Sequence, residues 1–219
     1  MLDIRWDIIQ NYAPFFLQGT LMTIGISLAS ILIGTILGLC IGLGKMSRNP
    51  ILRFPFTAYI DFFRGTPLLV QIIIVHFGVT PYVFGTSNGI YSAILALSLN
   101  SAAYCAEIFR AGIQSIDKGQ MEAARSLGLS HYKAMKFIIL PQAVKRMIPP
   151  FINEFIVLIK DSSLASIVAA KELMYWAKAA QGQYIRVWES YLTIAIIYLI
   201  LTLTLSKLLN WLERKYRTE

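Results

Sequence analysis

The charges of this 219-residue chain are bunched, and the stretches between them are long and apolar. Residues 8–44 hold no Asp, Glu, Lys or Arg, and neither do residues 65–106. A helix needs about 20 apolar residues to cross the hydrocarbon of a bilayer, so runs of this length predict membrane spans. The pattern predicts five, at roughly 15–43, 54–77, 88–110, 148–168 and 188–207. Breakers separate them: Asn49-Pro50 and Pro55, then Thr80-Pro81 and residues 85–89, then Pro141 and Pro149-Pro150. The first span is long enough to tilt or to extend beyond the bilayer. It carries Ser30, Gly34, Gly38 and Gly42 at steps of four, a small-residue stripe on one helical face. We read the stripe as packing inside one subunit in preference to a contact between subunits.

Composition agrees with this picture. The chain is 56% hydrophobic with a mean hydropathy of +0.59, more than a soluble domain of this size can bury. The net charge of +8 does not point to nucleic acid, because the basic residues sit in short links beside apolar runs. Fourteen of the 20 Lys and Arg fall in the first link, the third link and the tail, against five on the other face; Arg64 lies within a span. That asymmetry predicts a cytoplasmic C-terminus and an N-terminus outside. The start, Met1 to Asp7, reads as uncleaved: it has no basic leader and no small-residue cleavage pattern. Cys40 and Cys105 fall in apolar runs and read as packing residues, while His76 and His131 read as structural.

The third link, about 111–147, holds the most specific pattern: Glu122-Ala123-Ala124, then Gly128, then Ile138-x-Leu140-Pro141. Residues 120–127 favour a helix that Gly128 can end, and Ser130 can cap a second helix running to Leu140. Ala123 and Ala124 would leave a shallow surface, and Glu122 a charge, for a partner across the contact. No phosphate loop is present: Gly44-Lys45 is followed by Met46, and Leu39 stands where the first glycine belongs. No nucleophile–base pair or metal cluster appears either.

This spacing resembles the coupling loop of importer permeases in the ATP-binding-cassette (ABC) family. Further stretches resemble its polar amino-acid branch: residues 63–71 (Phe63-Arg64-Gly65-Thr66-Pro67-Leu68-Leu69-Val70-Gln71), 99–104, 106–110, and Lys160-Asp161-Ser162-Ser163-Leu164. The resemblance covers residue 15 to the C-terminus. It implies an all-α integral membrane fold of five transmembrane helices, the type I ABC importer permease fold, in a single domain of residues 1–219. It implies a bacterial inner membrane location and a second permease subunit, identical or closely homologous. It also implies an extracytoplasmic amino-acid-binding protein and a nucleotide-binding subunit that holds ATP and Mg, with no cofactor in this chain. Glu122, Ala123, Ala124 and Gly128 would then couple to the ATPase subunit.

Ionisable residues within spans are functional candidates by default. Asp61 lies eight residues past Arg53 and Glu154 eight past Arg146. At ~1.5 Å per residue both carboxylates would sit about 12 Å deep and could line one cavity. Two acidic groups suit a cationic cargo, since a guanidinium can bind a carboxylate through paired hydrogen bonds. Lys160 or backbone N–H groups could take the amino acid's carboxylate, and Asn100 and Ser101 could add neutral hydrogen bonds. Asp61 and Arg64, three apart on one face, could instead neutralise each other. The expected cargo is arginine, lysine or histidine, with glutamine or another neutral polar amino acid as the alternative. An ion-coupled secondary transporter is a more distant reading, because inverted repeats are missing.

Overall fold

The computed structural model describes residues 4–216 and is helical, with no strand among those residues. The helices are α1 (Trp6–Lys45), α2 (Pro50–Gly65), α3 (Leu68–Ile74), α4 (Thr80–Phe84), α5 (Gly89–Gln114), α6 (Lys118–Ser126), α7 (His131–Ala134), α8 (Leu140–Asp161), α9 (Leu173–Tyr184) and α10 (Trp188–Tyr216). Single π-turns, Val75–Val79 and Met135–Ile139, join α3 to α4 and α7 to α8. A 3-10 segment, Ser162–Val168, follows α8.

The long helices are turned inside out relative to those of a soluble protein. On α1 the buried face includes Gly19, Thr23, Ser27, Ser30, Gly34, Gly38 and Gly42, after an N-terminal patch of Ile8, Tyr12 and Phe16. Leu17, Leu21, Leu32, Ile36 and Leu43 are exposed on the other face. Lipid solvates large apolar side chains, so close helix contact goes to small residues. The stripe packs against α5 of the same chain. A Cβ on Gly38 would lie 2.5 Å from Cys105 Cβ, and one on Gly34 3.0 Å from Ser101 Cβ. Cys105 is buried as expected, whereas Cys40 is exposed.

Two spans differ from expectation. Residues 54–77 do not form one helix: α2 and the Leu68–Phe84 helix meet at 109°. Pro67 causes the break, because the residue before a proline is pushed out of the helical region, and Thr66 is extended at φ −118°, ψ 149°. The freed backbone groups are satisfied by side chains. Gln71 Nε2 donates to the Phe63 carbonyl at 2.9 Å and to that of Thr66 at 3.1 Å, and Asn100 Nδ2 donates to Phe63 O at 3.2 Å. Irregular backbone at membrane depth survives only with such partners.

The second difference is α8. By length and composition α1, α5 and Trp188–Trp211 can each cross a membrane, and the bent pair can form a fourth crossing. The segment 148–168 is less apolar. Its helix runs on unbroken from His131 through Pro141, Pro149 and Pro150 to Asp161, where the second loop helix was expected to stop at Leu140. α8 tolerates its charges because it is held among α5, α10 and α1, with Met147, Glu154, Leu158 and Ile159 buried.

Candidate functional site

A cavity of about 510 Å³ opens between α5 and α8, with Arg64 of α2 at its edge. Gly112 sets its base: a Cβ there would strike Met147 Cγ at 2.3 Å, so α5 and α8 approach closely at that level. Tyr104 and Glu107 line the α5 wall, and Arg146, Asn153 and Glu154 the α8 wall.

Glu154 is 9% exposed, whereas Ser101 is fully buried against Gly34 of α1 and is not among the residues lining the cavity. Arg64 and Asp161 lie within the electrostatic reach of Glu154. Asp61 is not brought to this cavity. It is exposed on α2, next to Ile60, the buried position of that helix. Arg64 does not turn to Asp61 either: its nearest anionic partner is Glu107 Oε2 at 3.8 Å, and it stacks over the Tyr104 ring at 5.2 Å.

Asn100 is buried in the hinge of the broken span, where Nδ2 also donates to Gln71 Oε1 at 2.9 Å. Its hydrogen bonds are structural. Lys160 is exposed and does not line the cavity. It is six residues past Glu154, which turns it to a different face of α8.

Sequence reasoning missed a hub beside the cavity. Glu107 accepts from Lys45 Nζ at 2.6 Å and from Arg110 Nη2 at 2.7 Å, joining α1 and α5. The Arg110 spacing was visible, but Lys45 is 62 residues away. Glu172 was missed too. It is fully buried and caps α9, accepting from the N–H groups of Met174 and Tyr175, each at 2.8 Å. An acidic residue before a helix was the available signal.

The polar loop forms the expected helix–turn–helix. Asp117 caps α6 through the Gly119 N–H at 2.7 Å, Gly128 takes φ +83° after α6, and Ser130 Oγ accepts from Lys133 N at 3.3 Å. Glu122 and Ala123 are exposed. Ala124 corrects the expected surface: at 2% exposure it faces its own chain, and its carbonyl accepts from Leu129 N at 3.1 Å. Leu127 and Tyr132 extend the exposed surface, at 83% and 71%. Among the described residues no group of His, Cys, Asp and Glu is arranged to hold a metal ion.

Long apolar helices, a cavity with charged side chains in its wall and a polar helix–turn–helix loop fit a membrane transport subunit. The chain belongs to the family described as "Binding-protein-dependent transport system inner membrane component", which matches residues 30–218. It is 40% identical to the arginine transport system permease protein ArtQ of Bacillus subtilis (strain 168), over 94% of both chains. It is 37% identical to the putative glutamine transport system permease protein GlnP of Rickettsia typhi (strain ATCC VR-144 / Wilmington), over 92% of both. A solved structure described as an amino acid ABC transporter with histidines superposes with a TM-score of 0.92 at 40% identity, covering 98% of this chain and 100% of that one. The chain is therefore a multi-pass transport subunit of an amino-acid ABC importer with the type I permease fold, and not an enzyme.

Proposed function

We propose that the cargo is a basic amino acid: arginine, lysine or histidine. The observation that carries this reading is Glu154, an acidic side chain buried in the wall of the cavity between α5 and α8. A buried carboxylate is costly unless a cation or hydrogen-bond donors compensate it. We assign Glu154 to cargo binding; Ser101, buried outside the cavity lining, receives no cargo role here. Asn100 stays with the hinge, and Asp61 and Lys160 receive no cargo role in this cavity.

The whole chain, 1–219, acts as one permease domain with a coupling loop at about 111–147. Two copies, or this chain and a close homologue, enclose the path. An external binding protein delivers the amino acid, and a separate subunit binds ATP and Mg. That subunit docks on Glu122, Ala123 and the turn at Gly128, with Leu127 and Tyr132 adding apolar contact. Its closure moves α6, and the shift passes to α8 through the continuous helix 131–161. The bias of Lys and Arg supports a cytoplasmic loop and C-terminus, with the N-terminus outside.

A second reading is glutamine, favoured by the name of the Rickettsia relative. A carboxylate at Glu154 can accept from a side-chain amide as well as from a guanidinium. Competition for uptake in proteoliposomes, with the binding protein and ATPase subunit present, separates the two. Arginine, lysine and histidine are expected to outcompete glutamine, and Glu154→Gln to weaken arginine uptake by about tenfold or more. Unchanged arginine uptake in that variant would remove Glu154 from the cargo site. Glutamine as the strongest competitor would establish the second reading.

A further inference from the structure

We propose that Arg64 is the group in this cavity that binds the carboxylate of the transported amino acid. The inference rests on the cavity being the cargo path, though not on which side chain the cargo carries. Every amino acid brings a carboxylate, and a membrane cavity that accepts one must replace its water with fixed donors. The guanidinium offers five N–H donors in a planar fork that matches a carboxylate through two parallel bonds.

Arg64 is a cavity arginine whose fork is left open. Its contact with Glu107 is 3.8 Å, too long for a hydrogen bond. Glu107 is already engaged at 2.6 Å by Lys45 and at 2.7 Å by Arg110, so it does not need Arg64 for charge balance. The Arg64 side chain is 44% exposed and its guanidinium lies over the Tyr104 ring, so the plane is supported while its N–H edge keeps access to solvent. The competing cations are committed or misplaced. Arg146 Nη1 donates to the Ser115 carbonyl, and Lys160 lies outside the cavity lining.

With Glu107 and Arg146 engaged elsewhere, Glu154 and Arg64 give the cavity one available anionic and one available cationic pole. The first takes the side-chain cation or the ammonium of the cargo, and the second its carboxylate. This arrangement admits amino acids and rejects the amines made from them by loss of the carboxyl group.

Equilibrium binding to the purified permease–ATPase complex in detergent tests this with two ligand pairs: arginine against agmatine, and glutamine against 4-aminobutanamide. The second member of each pair lacks only the carboxyl group. The wild-type complex is expected to prefer the amino acid of its cognate pair by about tenfold or more. In Arg64→Gln the amino acid should lose about tenfold to a hundredfold while the decarboxylated ligand changes by less than about twofold. Arg64→Lys should restore part of the loss, since it keeps the charge without the fork.

Wild-type binding of agmatine as tight as that of arginine, or an equal loss of both ligands in Arg64→Gln, would overturn the assignment. So would absence of binding by either amino acid. Where Arg64→Gln does not assemble, Arg64→Lys carries the test: it should lose affinity for the amino acid selectively, and an affinity for the amino acid unchanged from wild type would likewise overturn the assignment. Preference for the glutamine pair, with the selective loss in the Arg64 variants, would count against the basic cargo while leaving Arg64 as the carboxylate-binding group.

Discussion

Lys45 Nζ lies 2.6 Å from Glu107 Oε1, tying the last residue of α1 to the C-terminal half of α5. The Glu107 side chain is 17% exposed and that of Lys45 20%, so this is not a solvated surface pair. Arg110 bonds the other carboxylate oxygen at 2.7 Å, and Arg64 stands at 3.8 Å. Removing the anion leaves three cations facing one another across α1, α2 and α5. Glu107→Gln is therefore expected to destabilise the chain by about 1.5–3 kcal/mol, the range for hydrogen bonds to charged groups. Thermal unfolding of the detergent-solubilised subunit measures this, and an unchanged melting temperature would reduce the hub to a surface contact.

Gly38 and Gly25 make a controlled pair on α1. A Cβ on Gly38 would meet Cys105 Cβ at 2.5 Å and the Ala102 carbonyl at 2.8 Å, whereas one on Gly25 meets nothing within 4 Å. Gly38→Ala should cost about 1–3 kcal/mol through forced separation of α1 and α5. Gly25→Ala should be neutral or stabilise by up to about 1 kcal/mol, since alanine is the better helix former. Equal melting temperatures for the two variants would mean that the α1–α5 contact is not close-packed at Gly38.

The small-residue stripe was legible because helical spacing leaves a one-dimensional trace: Ser30, Gly34, Gly38 and Gly42 share a face whatever surrounds them. The turn at Gly128 was legible for a similar reason, since a helix end followed by a residue at positive φ is local chemistry. The break at Pro67 left a trace in the Thr66-Pro67 pair, but a continuous apolar run conceals a bend that changes no residue's polarity. The cavity was half legible. Depth along a helix axis can be counted from the charged ends, and the count set Asp61 and Glu154 at equal depth. Counting does not give the direction around the axis, and Asp61 turned out exposed on α2 while Glu154 is buried. Partners far apart in sequence, such as Lys45 and Glu107, leave no pattern to read.

The broken span predicts a coupled pair. Gln71 Nε2 donates to Phe63 O and to both oxygens of Thr66, while its Oε1 accepts from Asn100 at 2.9 Å. Gln71→Leu leaves the Phe63 carbonyl one donor short and Asn100 without its amide partner. A loss of about 1–3 kcal/mol is expected, and the same for Asn100→Leu. The double variant should lose less than the sum, because either change already removes the shared bond. Strict additivity in the unfolding free energies would show that the two side chains hold the bend independently.

Glu172 predicts a pH dependence. It stands in the segment between α8 and α10, fully buried, with its carboxylate accepting from Met174 N, Tyr175 N and the Tyr198 hydroxyl. Burial pushes its carboxyl up to about 7 from the ordinary 4.5, against the opposing pull of those donors and of Lys178. The native chain therefore holds a proton over a range where the unfolded chain has already released it. That contribution to stability is fully present below about 4.5 and is lost as the pH rises through about 7. Glu172→Gln keeps a neutral acceptor for the α9 cap and removes the titration. Melting temperatures between about pH 5 and 7 should fall in the wild type and fall less steeply in Glu172→Gln. A wild-type melting temperature that rises across that interval, with the variant following it in parallel, would show that Glu172 is ionised throughout.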